Sequence, residues 1–100
     1  MATGGKRMNE KYIERRLTAE VKKRGGLCPK FVSPGLVGVP DRLVLFKGGL
    51  LAFVELKAPY KKPRQIQVKR MEQLRQLGFK VYVIDNVEMI GGVLDEIQST

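Results

Sequence analysis

The chain has 100 residues, 43% of them apolar and 29% charged, with a formal net charge of +9 and no histidine. Domains commonly run to ~100–150 residues, so this length holds one modest core and excludes a two-domain enzyme. Without histidine the commonest general base, the usual zinc ligand and every Ser-His or Cys-His pair are absent, so catalysis must rest on carboxylates, lysine or a metal held by oxygen.

Residues 1–8 read as a flexible lead-in with no apolar signal segment, and residues 9–100 as a single domain. From Asn9, a plausible N-cap, Ile13, Leu17 and Val21 recur at helical spacing until Gly25-Gly26, predicting a first helix. The lone Cys28 excludes an internal disulfide and reads as a small buried hydrophobe. Phe31-Val32 is a short strand candidate, followed by a loop rich in Pro and Gly through Pro40. Leu43–Phe46 and Leu50–Leu56 are β-rich runs on either side of Lys47-Gly48-Gly49, which predicts a hairpin covered on both faces. After the basic connector Pro59–Pro63 comes a second helix, Arg64–Leu77, stopped by Gly78, and then a strand, Val81–Ile84. Val87, Ile90, Leu94 and Ile97 have helical spacing despite Gly91-Gly92, giving a last helix whose apolar side either caps the sheet or forms a dimer surface. The expected fold is α/β, a small mixed sheet flanked by helices. The longest apolar run, Leu50–Val54, is far short of the ~20 residues of a membrane span, so the chain is not expected to be a membrane protein.

Charge is unevenly spread. All nineteen Lys and Arg lie in residues 1–80 with six acids, a local balance of +13, while residues 81–100 carry four acids and no base. A phosphate-rich partner explains such a surface, because each neutralised phosphate releases counterions; an anionic membrane surface or a merely basic fold is the alternative. Lys61, Lys62, Arg64, Lys69 and Arg70 are the leading candidates for holding nucleic-acid phosphates, with Lys30 and Arg42 behind them. No base-reading motif accompanies them, so recognition by shape and backbone is expected.

The few acids are informatively placed. Strand alternation sets Glu55 and Lys57 on one face of Leu51–Lys57 and Ala52, Val54 and Leu56 on the other. Asp41 lies seven residues before Gly48 and Glu55 seven after it. A hairpin centred on Gly48 therefore sets the two acids opposite each other, whereas a two-residue turn at Gly48-Gly49 breaks the pairing. Carboxylates this close repel unless Lys57 or a divalent cation lies between them, and carboxylate ligands suit Mg²⁺ or Mn²⁺; an ordinary strand-end ion pair is the competing reading. Glu14 borders the apolar stripe of the first helix, with Glu10 and Glu20 as competitors, and Gln67 lies within the apolar face of the second.

Together Gly38-Val39-Pro40-Asp41-Arg42, Val54-Glu55-Leu56-Lys57 and Gln67 resemble the PD-(D/E)XK nuclease superfamily, and more narrowly the virus-type replication-repair nuclease (VRR-NUC) family in a minimal form of the kind phages encode. The resemblance runs from about Glu14 to Ile84 and implies a restriction-endonuclease-like core in the order α-β-β-β-α-β-(α). It implies that Asp41, Glu55 and the backbone carbonyl of Leu56 bind Mg²⁺ or Mn²⁺, and that Lys57 activates the attacking water. Glu14 would act on the metal through water and Gln67 would buttress the site, with Gln65 the competitor for that role. The implied activity is metal-dependent cleavage of DNA, most of all a Holliday junction cut by a homodimer in the cytoplasm, that of the host bacterium if phage-encoded. A nicking, flap-trimming or exonucleolytic repair enzyme, or a basic DNA-binding module without catalysis, is the alternative.

Overall fold

The computed structural model describes residues 9–99; the expected lead-in, 1–8, lies outside them. Helix α1 spans Glu10–Lys23, and Asn9 caps it by accepting the Tyr12 N–H on its side-chain oxygen at 2.7 Å. Ile13, Leu17 and Val21 are fully buried on one face, as their spacing requires. Strand β1, Arg42–Phe46, pairs antiparallel with β2, Leu50–Leu56. Helix α2, Gln65–Gln76, then crosses to β3, Lys80–Ile84, which pairs parallel with β2. A 3₁₀ turn, Val87–Met89, leads into helix α3, Ile90–Gln98.

The sheet order β1-β2-β3 makes β2 central, which explains why that strand is apolar on both faces. Ala52, Val54 and Leu56 face a core built with Ile13, Leu17 and Val21 of α1 and Ile90, Leu94 and Ile97 of α3. Phe53, on the opposite face, packs with Val81 and with Met71 of α2. The apolar side of α3 thus caps the sheet, the first of its two expected roles. Arg24 fastens α1 to α3 through Asp95 at 2.8 Å and the Gln98 side chain at 3.0 Å. No described helix is long and apolar enough to cross a membrane.

The strand expected at Phe31-Val32 is reduced to two isolated bridges, Leu27↔Leu45 and Lys30↔Arg42. Leu27 and Leu45 exchange both backbone bonds, and Leu43 N–H donates to Pro29 O at 3.0 Å. Pro29 has no N–H to return that bond, so the ladder is interrupted at its middle. Phe31 N–H reaches Asp41 O at 2.8 Å, and beyond it Val32 is exposed.

Candidate active site

The β1–β2 register decides whether the two acids meet. Arg42 stands opposite Val54 and Phe46 opposite Leu50, which centres the hairpin on Gly48, and Gly48 and Gly49 take the positive φ values, 89° and 77°, that close the three-residue turn. One step beyond Arg42↔Val54, Asp41 falls beside Glu55 at the open end of the hairpin. Asp41 is locked there: its Oδ2 accepts the Leu56 N–H at 2.9 Å and its own carbonyl accepts from Phe31. The loop before it docks on the start of α2. Gly38, at φ 83°, lies so close that a Cβ would stand 2.8 Å from the Ile66 carbonyl oxygen, and Arg70 Nε holds the Val37 carbonyl at 2.8 Å.

Glu55 is only 1% exposed. Its Oε2 accepts from Gln67 Nε2 at 2.8 Å and lies 3.2 Å from Lys57 Nζ. Gln67 in turn accepts the Arg64 N–H on its Oε1 at 2.8 Å, so one amide caps α2 and orients the acid. Both partners leave the amide one orientation, because a backbone N–H only donates and a carboxylate only accepts. Gln65, by contrast, is exposed on the outer side of α2. Glu55 Oε1 is buried with no hydrogen-bond partner among the described residues. Burial pushes the Glu55 carboxyl above its ordinary range, with Asp41 adding to the rise and Lys57 opposing it.

A third acid enters from α1. Glu10 is raised by burial first, then by the nearby Asp41 charge and by Glu14, with Lys57 pulling the other way. Glu14 lies in the same cleft, lined also by Lys11, Lys30 and Asp41, but its Oε2 is held by Arg42 at 2.9 Å (Nη2) and 3.2 Å (Nε). Glu10 is therefore the helical acid left without such a partner among the described residues, and the one-turn spacing between the two glutamates was the signal for it.

The basic residues divide. Arg64 lines a cleft with Asp41 and Gln67, Lys30 flanks Asp41 on the other side, and Lys61 and Lys62 are exposed on the segment after Lys57. Lys69 lies on the outer side of α2, away from Asp41. Arg42 and Arg70, both expected to hold DNA, also have partners within the chain. Arg42 binds Glu14 and, through Nη1, the Cys28 carbonyl at 2.7 Å; Arg70 binds Val37 and Gln73.

The donor set fits a hard divalent cation. The unpartnered oxygen of Glu55 and the free oxygen of Asp41 are joined by the Leu56 carbonyl, which points to the same side as the Leu56 N–H bound by Asp41. In register, Leu56 is opposite Pro40, whose nitrogen has no hydrogen to give that carbonyl. Among the described residues no three His, Cys, Asp or Glu are grouped so as to hold a metal ion by themselves.

No protein-family model matches the chain. A protein of Acyrthosiphon pisum secondary endosymbiont phage 1, named "Putative nuclease p44", is 46% identical over 82 residues, covering 82% of this chain and 88% of its own length. A solved structure described as "VRR_NUC domain" superposes with a TM-score of 0.80 at 28% identity, covering 86% of this chain and 94% of its own. With the acids, lysine and glutamine on the same frame, the chain belongs to the VRR-NUC family of PD-(D/E)XK nucleases, alongside a phage relative.

Proposed function

We propose that the chain is a Mg²⁺- or Mn²⁺-dependent nuclease, one domain over residues 9–100, that hydrolyses phosphodiester bonds in branched DNA. The observation that carries the reading is the half-satisfied Glu55 carboxylate, with one oxygen held by Lys57 and Gln67 and the other buried and unpartnered beside Asp41. Leaving a buried charged oxygen unpaired costs about 1–3 kcal/mol or more, a cost that a cation held by Asp41, Glu55 and the Leu56 carbonyl would offset. When bound, the cation supplies Lewis acidity at the phosphate and makes water acidic enough to attack near neutral pH.

The protein's own groups do the rest. Gln67 keeps Glu55 aimed, and Lys57 brings positive charge to the phosphate without any histidine. Glu10 and Glu14 border the cleft by which the attacking water enters. Lys30, Lys61, Lys62 and Arg64 would hold backbone phosphates on either side of Asp41, with Lys69 more distant. The junction substrate and a homodimer are supported by the family resemblance and by symmetry, since a two-fold pair presents two sites to a four-way junction. The buried side of α3 is taken up by the core, so pairing would use another surface.

The test incubates labelled four-way junction, flap and linear duplex with Mg²⁺, Mn²⁺ or EDTA. Paired symmetric nicks in the junction are expected with metal alone. Asp41→Ala, Glu55→Ala and Lys57→Ala should each lower cleavage by about a thousandfold or more while DNA binding survives. Full activity of Asp41→Ala in Mg²⁺ refutes the site, flap-only cutting replaces the junction enzyme with a repair nuclease, and intact DNA throughout leaves a binding module.

A further inference from the structure

Residues 58–61 form a turn in which the Lys61 N–H donates to the Ala58 carbonyl at 3.0 Å. Pro59 occupies its second position and Tyr60, with φ 69°, its third. That is the pattern of a type II turn, whose third position ordinarily takes glycine or asparagine because a larger side chain crowds the backbone. Among the described residues Tyr60 is the one non-glycine residue with positive φ. Internal packing does not account for it. Tyr60 is 90% exposed, and the aromatic contacts of the described residues join Phe31, Phe53 and Phe79 instead. A bulky aromatic held in a costly conformation with its ring in solvent implies a use outside the chain.

Its surroundings say what kind. Because β2 and β3 run parallel, the segments following Leu56 and Ile84 emerge at the same end of the sheet as Glu55 and Lys57. Pro59, Tyr60, Lys61, Lys62, Asp85 and Asn86 enclose an open cleft of about 440 Å³. The lysines suit phosphate, the ring suits the face of a base, and Asp85 and Asn86 offer polar atoms to a base edge. The Asn86 side-chain oxygen already accepts the Glu88 N–H at 2.8 Å, which leaves its amide nitrogen to donate. Within a continuous duplex every base is stacked on both faces, so the ring finds a partner only where the stack is interrupted.

We propose that Tyr60 is a base-stacking residue that directs the site to DNA carrying an unpaired or unstacked base, an inference resting on the nuclease reading above. The test measures binding of the full chain in EDTA, where no cleavage occurs. The probes are a duplex with one unpaired 2-aminopurine and the same duplex fully paired. The wild type should quench the unpaired 2-aminopurine and bind that duplex more tightly. Tyr60→Ala and Tyr60→Gly should weaken binding to it by about 5- to 150-fold, the size of one aromatic stack, and binding to the paired duplex by less than about twofold. Tyr60→Phe should bind as the wild type does. Tyr60→Gly should also raise the melting temperature, which separates loss of the ring from loss of the fold. The proposal is overturned if the wild type does not prefer the unpaired base, if Tyr60→Gly keeps both preference and quenching, or if both duplexes lose equally. Cleavage by the wild type in Mg²⁺ is scored separately, so failure of the nuclease reading is not mistaken for failure of the stack.

Discussion

Replacing Glu55 by Gln removes the charge but keeps the shape at the centre of the site. The carboxyl group is 1% exposed, Lys57 and Gln67 partner one of its oxygens, the other has no partner among the described residues, and the nearby Asp41 charge disfavours its ionised form. Glutamine can still accept from Gln67 through its carbonyl oxygen, while its NH₂ group takes the unpartnered position at the smaller cost of a neutral group. Set against a penalty of about 1–3 kcal/mol or more for an unsatisfied charged oxygen, and after giving up the 3.2 Å ion pair with Lys57, the net gain should be about 1 kcal/mol, or ~4–8 °C in Tm for a domain of this size. The sign with pH is definite. Because burial and Asp41 raise the Glu55 carboxyl above its ordinary 4.5, the folded chain binds a proton more readily than the unfolded chain. Stability from this group is therefore full below 4.5 and is lost as pH rises through the elevated folded value. The advantage of Glu55→Gln should accordingly shrink as pH falls toward 4.5. Differential scanning fluorimetry in EDTA and in Mg²⁺, at several pH values, reads all of this. Mg²⁺ should stabilise the wild type and leave the variant unmoved. A variant that melts lower at pH 7 in EDTA, or that gains as much from Mg²⁺, refutes the reasoning.

Further outcomes follow from particular contacts. Gly38→Ala places a Cβ 2.8 Å from the Ile66 carbonyl oxygen at φ 83°, so urea unfolding should show a loss of about 1–3 kcal/mol and kcat should fall as the Asp41 loop shifts. Arg42→Met strands Glu14 and the Cys28 carbonyl and should cost about 2–3 kcal/mol in urea melts with DNA affinity within about twofold. Unchanged stability with weaker DNA binding would return Arg42 to the DNA surface. Burial pushes the Cys28 thiol up to about 11, so alkylation by iodoacetamide at pH 8, followed by mass spectrometry, should be about a hundredfold slower than for a free thiol. Reaction at the free-thiol rate would show Cys28 to be accessible as thiolate.

Much of this was legible because its physics is local. Asn9, Ile13, Leu17 and Val21 mark α1 through capping and the helical repeat, and the alternation of β2 sets Glu55 and Lys57 on one face whatever surrounds them. The strand expected at Phe31-Val32 was misjudged because β propensity says nothing of which N–H a partner needs, and Pro29 lacks the one at the middle of that ladder. The internal partners of Arg42 and Arg70 were not legible for a related reason, since a cation's contacts depend on which acceptors the fold brings to it, and here those lie 28 and 33 residues away in the chain.

By itself the sequence determined the absence of histidine chemistry, most of the element types and the shared face of Glu55 and Lys57, because composition and periodicity are properties of short stretches of chain, while the family resemblance singled out Asp41 and Gln67 beside them. Tertiary structure alone decided the Gly48-centred register that brings Asp41 to Glu55 and the choice of Gln67 over Gln65. It also decided that Glu14, not Glu10, pairs with Arg42, and the exposure of Tyr60 on its strained turn. Each of these depends on which distant groups share a few ångströms of low-dielectric space, and packing sets that.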